Sequence, residues 1–132
     1  MKKLVMFVCV GNAGRSQMAE AFAKKYGGDK IEAVSAGTLP AKHVHPEVSI
    51  VMKEKGIDIS KNTPKIFDVK MADKAAAIIT MGCSVEGLCP APMLKKTVDW
   101  KLEDPKGKPM EKIREIRDDI EQRVIALLEQ LV

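Results

Sequence analysis

The chain has 132 residues, of which 45% are hydrophobic and 30% charged, and carries a formal net charge of +4. This is the balance of a soluble globular protein, long enough for a single domain, residues 1–132, with its own core. It argues against a membrane protein, because no apolar run approaches bilayer length. It also makes no case for nucleic acid: the charge excess is mild, and Phe7, Phe22, Tyr26, Phe67 and Trp100 do not interleave with basic residues.

Lys2-Lys3 followed by the apolar run Leu4–Val10 has the outline of a signal peptide. The run is at the lower limit for one, and reads better as a buried parallel strand, Lys3–Cys9. The expected compartment is therefore the cytoplasm, where three cysteines argue for reactivity over a disulfide framework. A helix is predicted over Ser16–Tyr26, with Met18, Phe22 and Tyr26 at i, i+4 spacing and Gly27-Gly28 as its stop. Ile31–Ser35 reads as a second strand, ending at Ala36-Gly37. Pro46 and Glu47 open a helix that carries Val48, Val51 and Met52 inward and ends at Gly56. The latter half of Lys74–Met81 reads as a buried strand, and Thr97–Trp100 as a weaker fourth. Pro109–Val132 is the most regular helix, with Ile113, Ile116, Ile120, Val124, Leu127 and Leu131 at steps of three and four. Strands alternating with helices imply an α/β domain whose parallel sheet is covered on both faces.

Ligands of such folds bind outside the carboxyl ends of the strands. Cys9, Ser35, Cys83 and the segment after Trp100 all fall at such ends. The first of these ends carries Cys9-Val10-Gly11-Asn12-Ala13-Gly14-Arg15-Ser16, a Cys-x5-Arg-Ser turn between strand and helix. Small and permissive residues there allow backbone N–H groups to converge on one tetrahedral oxyanion, and the helix adds the positive end of its dipole. Arg15 supplies a planar fork of donors for two oxyanion oxygens. Cys9 lies at the bottom of this positive cup, placed to attack the central atom of phosphate or a similar anion.

Glu103-Asp104-Pro105 follows the last strand. Pro105 biases Asp104 to an extended conformation, and a carboxyl held over the cup suits a general acid for a leaving oxygen. Asp99, Glu103 and Asp118 or Asp119 are weaker candidates. Cys83 and Cys89 lie on a segment punctuated by Gly82, Gly87, Pro90 and Pro92. A zinc site would have to recruit His43 and His45, far upstream at a spacing unlike that of zinc fingers. Two thiols on a loop near a nucleophilic Cys9 suggest instead a thiol relay, with movement of the loop as disulfides exchange. His43 and His45 read as surface loop residues, His45 also helping to start the Pro46 helix, and Trp100 as a packing residue.

Val8-Cys9-Val10-Gly11-Asn12-Ala13-Gly14-Arg15-Ser16-Gln17-Met18-Ala19-Glu20 resembles the phosphate-binding loop of the low-molecular-weight protein tyrosine phosphatases. It is more similar to that of their relatives, the thioredoxin-coupled arsenate reductases. Ser35-Ala36-Gly37, Gly56-Ile57-Asp58-Ile59-Ser60 and Asp104-Pro105 fall in register with the same family. The phosphatases usually carry proline after the Arg-Ser pair and an aromatic residue after Asp-Pro, whereas this chain has Gln17 and Lys106. Cys83 and Cys89 match the extra redox pair of the reductases, at a spacing one residue shorter.

The resemblance implies a three-layer α/β/α fold with a four-stranded parallel sheet. It implies an arsenate or phosphate oxyanion held by Val10, Gly11, Asn12, Ala13, Gly14 and Arg15. Cys9 would attack arsenate, Asp104 would protonate the departing oxygen, and Ser16 would hydrogen-bond the Cys9 thiolate. Cys83 would then attack the Cys9 sulfur and Cys89 would attack Cys83, leaving a Cys83–Cys89 disulfide for thioredoxin to reduce. No tightly bound cofactor is implied, and the expected state is a monomer. A potassium site in some members would fall on Asn12, Glu20 and Ser35, with Lys65 in place of a carboxylate, so that the Lys65 ammonium replaces the ion. The competing readings are a phosphomonoester or phosphotyrosine hydrolase, which needs only Cys9, Arg15 and Asp104, and a non-enzymatic anion-binding module.

Overall fold

The computed structural model describes residues 2–81 and 97–131. In chain order the elements are β1 (Lys3–Cys9), α1 (Arg15–Gly27), β2 (Ile31–Gly37), α2 (Pro46–Lys53), α3 (Val69–Lys74), β3 (Ala77–Thr80), β4 (Thr97–Asp99) and α4 (Met110–Leu131). The strands form one parallel sheet in the order β2-β1-β3-β4. The chain leaves β1 to one side for β2 and returns to the other side for β3. The carboxyl end of β1 is thus the point where the winding reverses, the usual place for a ligand crevice.

β1 is apolar throughout because both of its faces are covered. Its odd residues Val5, Phe7 and Cys9 pack with Met18, Phe22, Val48, Met52, Ile113 and Ile120 of α1, α2 and α4. Its even residues Leu4, Met6 and Val8 pack with Ala72, Ala75 and Ile78, flanked by Val34 and Phe67. The period-2 alternation of a strand sorts one continuous hydrophobic run into two cores. The α/β/α reading therefore holds. β1 has the expected bounds, while α1 runs one residue further at each end and β2 extends to Gly37.

Three elements differ from expectation, and the first is α2, which stops at Lys53 before a turn that reaches Gly56. α3 is a six-residue helix that periodicity could not signal; the Asp68 side chain caps it by accepting from Lys70 N at 2.9 Å. In α4 the buried stripe is Ile113, Ile116, Arg117, Ile120, Glu121, Val124 and Leu128, whereas Leu127 and Leu131 are only partly buried. The stripe follows i+4 steps through two charged residues, and each has partners. Tyr26 donates to Glu121 Oε2 at 2.6 Å and Lys55 stands 3.1 Å from Oε1. Burial works to raise the Glu121 pKa, but these hydrogen bonds outweigh it and the net shift is downward. Arg117 donates to Val51 O at 2.9 Å, Glu54 Oε1 at 2.7 Å and Asp118 Oδ1 at 2.8 Å.

β2 ends against the turn that follows β1. A Cβ on Gly37 would lie 2.5 Å from Val10 O and 2.9 Å from Asn12 N, so only glycine fits. Gly37→Ala is expected to lower stability by roughly 1–3 kcal/mol or more and to displace the turn. Urea unfolding, together with calorimetric titration of phosphate, would check both effects.

The end of α2 is tied to α4 through Glu54, which accepts from Arg114 Nε at 3.0 Å and Nη2 at 2.9 Å, and from Arg117. Hydrogen bonds from Arg114, then Arg117, lower the Glu54 carboxyl to about 2. A carboxyl with a depressed folded-state pKa stabilises the fold above its unfolded value, near 4.3, and loses that effect as pH falls toward the folded value. Urea midpoints of wild type and Glu54→Gln are therefore expected to differ modestly at neutral pH and to converge between about pH 5 and pH 2.

Candidate active site

The turn from Cys9 to Arg15 is a ring whose carbonyls are all taken from outside. Thr38 N donates to Cys9 O at 3.2 Å, Leu39 N to Val10 O at 2.9 Å, Ala41 N to Gly11 O at 2.9 Å and His45 N to Ala13 O at 2.9 Å. Gln17 Nε2 donates to Asn12 O at 3.1 Å, and Met18 N closes on Gly14 O at 3.0 Å. In a trans peptide the N–H of the next residue points opposite to the carbonyl, and no cis bond occurs among the described residues. Six outward carbonyls thus turn the amides of Val10, Gly11, Asn12, Ala13, Gly14 and Arg15 toward the inside. Asn12 adopts a left-handed conformation, φ 51°, that closes the ring.

Cys9 is buried at the foot of the ring, and its Sγ lies 2.8 Å from Ser16 Oγ and accepts from Asn12 N at 3.1 Å. Asn12 Nδ2 donates to Ser16 Oγ at 2.8 Å. The serine oxygen is therefore accepting, and its own proton is free for the sulfur. Arg15 is buried and donates through Nη1 to Met81 O and to Leu102 O, the latter at 2.8 Å. These bonds pin the guanidinium to the chain just beyond β3 and β4, leaving the Nε–Nη2 edge for an oxyanion.

Asp104 lies on the exposed loop after β4, its Oδ1 accepting from Lys106 N at 3.0 Å. The loop is seated by Pro105, whose Cγ is 3.3 Å from where a Cβ on Gly14 would be. Glu103 instead pairs with Lys108 at 3.1 Å and Lys112 at 3.4 Å, and the Lys108 hydrogen bond leads in lowering its pKa. Asp118 and Asp119 on α4 pair with Arg117 and Arg123, and Asp99 accepts from Lys101 N. His43 is exposed. His45 makes no side-chain cap to α2, but its carbonyl accepts from Val48 N and Ser49 N, and its ring carbon Cδ2 stands 3.6 Å from the same point beside Gly14. Trp100 packs on Phe7 at 6.1 Å between ring centroids. Cys83 and Cys89 lie outside the described residues.

Glu20 is buried, accepts from Ser35 Oγ, and stands 2.8 Å from Lys24 Nζ and 3.8 Å from Lys65 Nζ. Asn12 Oδ1 accepts from Lys65 N at 2.8 Å and from Gln17 Nε2 at 3.1 Å. The donor set does not suit a bound potassium ion, since Asn12 has committed its oxygen and two ammonium groups already face the carboxylate. Lys24, Gln17 and Asn62, whose Nδ2 donates to Gln17 Oε1 at 3.2 Å, are site neighbours that sequence reasoning missed. Only the i, i+4 spacing of Glu20 and Lys24 could have signalled one of them. Among the described residues no three His, Cys, Asp or Glu are grouped to hold a metal ion, and no helix is long and apolar enough to cross a membrane.

Residues 4–132 match the family described as low molecular weight phosphotyrosine protein phosphatase. An arsenate reductase of Brevibacillus brevis is 40% identical over 124 residues, covering 93% of this chain and 92% of that protein. A solved structure of an arsenate reductase in the phosphate-binding state superposes with a TM-score of 0.86 at 39% identity, covering 98% of this chain and 99% of the other. A thioredoxin-dependent arsenate reductase of Corynebacterium glutamicum gives a TM-score of 0.81 at 37% identity, over 98% of this chain and 62% of that one. With a family match across nearly its whole length and a relative at this identity, the chain belongs to the low-molecular-weight phosphotyrosine protein phosphatase family.

Proposed function

We propose that this protein is an arsenate reductase that works through Cys9, Cys83 and Cys89 as a single cytoplasmic domain, with thioredoxin as the final reductant. The observation that carries the reading is the grip of Arg15 on the Met81 carbonyl. It ties the carboxyl end of β3, two residues before Cys83 in sequence, to the first turn of α1 beside Cys9. The names of the relatives support the same chemistry.

In this reading the amides of residues 10–15 and Arg15 hold arsenate while the Cys9 thiolate attacks arsenic. Asp104 gives its proton to the departing oxygen, and a Cys9–arsenic bond forms as an arsenic–oxygen bond breaks. Cys83 thiolate then attacks the Cys9 sulfur. The electron pair of the sulfur–arsenic bond goes to arsenic, which leaves as arsenite, and a Cys9–Cys83 disulfide remains. Cys89 attacks Cys83 and releases Cys9 thiolate, and thioredoxin reduces the Cys83–Cys89 bond by two electrons. If water replaces Cys83, the same Cys9, Arg15 and Asp104 hydrolyse a phosphomonoester, which is the second reading that the family description supports.

Lys24 and Lys65 face Glu20 where some members of the family bind potassium, and Lys65 takes the place of the ion. Replacing sodium by potassium is expected to leave the Tm unchanged, and a potassium-specific gain would overturn this assignment.

Arsenate-dependent NADPH oxidation with thioredoxin and thioredoxin reductase is expected for wild type and lost in Cys89→Ser, while aryl phosphate hydrolysis survives the substitution. Absence of arsenate turnover, with hydrolysis equal in both proteins, would assign the protein to the phosphatases instead.

A further inference from the structure

The hydrogen-bond chain that ends on Cys9 has a direction, and that direction is set outside the ring. Lys65 N is a backbone amide and can only donate, so the Asn12 atom it meets at 2.8 Å must be the carbonyl oxygen. The other end of the Asn12 amide is then NH2, which donates to Ser16 Oγ at 2.8 Å. Ser16 in turn directs its proton to Cys9 Sγ, at 2.8 Å. A reversed Asn12 amide would face Lys65 N donor to donor and would draw the serine proton away from the sulfur. Gln17 adds a second lock. It is fully buried, and its Nε2 donates at 3.1 Å both to Asn12 O and to Asn12 Oδ1. Gln17 is itself held in this sense by Asn62, which donates to its Oε1 at 3.2 Å.

We propose that Gln17 and Asn62 are positioning residues that fix the Asn12 amide, so that Cys9 receives a hydrogen bond and its thiolate is stabilised. The sulfur's hydrogen-bond partners are Ser16 and Asn12, and Gln17 and Asn62 act through Asn12, on its side chain and on its ring carbonyl. The loop carrying Asn62 and Lys65 thereby sets the reactivity of a thiol in a different part of the sequence. The inference rests on the proposed function only in taking Cys9 as the attacking thiol.

The test is the rate of iodoacetamide alkylation of Cys9 across pH, followed by the mass of the Cys9 peptide so that Cys83 and Cys89 do not contribute. Gln17→Met keeps the side-chain length and removes the amide. The midpoint of its rate profile is expected to shift upward by about one pH unit, with the plateau rate at high pH unchanged, because one hydrogen bond to the charged form is weakened. Asn62→Ala, at an exposed position, is expected to shift the midpoint upward by about 0.3–0.5 pH unit and carries the test if Gln17→Met fails to fold. Both variants keep the charged groups around the cup, Arg15, Glu20, Lys24, Lys65 and Asp104; Gln17→Met also removes the donor to the Asn12 carbonyl, so assignment to the amide chain requires Asn62→Ala to move the profile in the same direction. A wild-type midpoint in the folded variants overturns the proposal, as does a changed plateau at an unchanged midpoint. A shifted profile in a protein that turns over no arsenate supports this inference while removing the reductase reading.

Discussion

The ring around Cys9 depends on the occupation of its outward carbonyls. Six successive carbonyls can face away from a common centre only if each finds a donor, since an unpaired buried carbonyl costs on the order of 1–3 kcal/mol. Backbone amides of the segment after β2 supply four of the donors, α1 supplies one through its first turn, and the sixth is the Gln17 side chain. The convergent amides on the inside follow from peptide planarity. The anion cup is thus a by-product of satisfied hydrogen bonds on its outer surface, already shaped before an anion arrives.

The fold serves this arrangement by bringing three carboxyl ends together. β1 ends on Cys9, which pairs with Gly37 of β2, and β3 ends beside Val8. Arg15 crosses from the start of α1 to the chain beyond β3 and β4, and Pro105 seats the Asp104 loop on Gly14. Cys9, Arg15 and the loop of Asp104 are therefore held by strand pairing, hydrogen bonds and the Pro105 contact.

Much of this was legible in the sequence. The β1 run, the Cys-x5-Arg-Ser turn and the i, i+4 pattern of α1 are local signals whose spacing has only a few physical solutions. The parallel sheet and the two-sided core followed from the alternation of strands and helices, whereas the order of the strands came only with the structure. What could not be read lies in contacts distant in sequence or in short elements. α3 has too few residues to show a period. The buried charges Arg117 and Glu121 break the apolar pattern of α4 and make sense only beside Glu54, Lys55 and Tyr26. The amide chain through Asn12, Gln17 and Asn62 joins three ordinary polar residues, none of which stands out until the loop from 57 to 67 is folded against the ring.

The donors from residues 38 to 45 have a further consequence. Thr38, Leu39, Ala41 and His45 act through backbone N–H groups alone, and Pro40, which has none to offer, falls at a position where no ring carbonyl asks for one. Any residue except proline can serve at the four donor sites. Leu39, Lys42 and His43 are exposed, so their side chains are at liberty to change without loss of the ring. Evolution can therefore rewrite what this wall presents to solvent while the chemistry beneath stays constant, and one reaction centre can be inherited by enzymes with different clients.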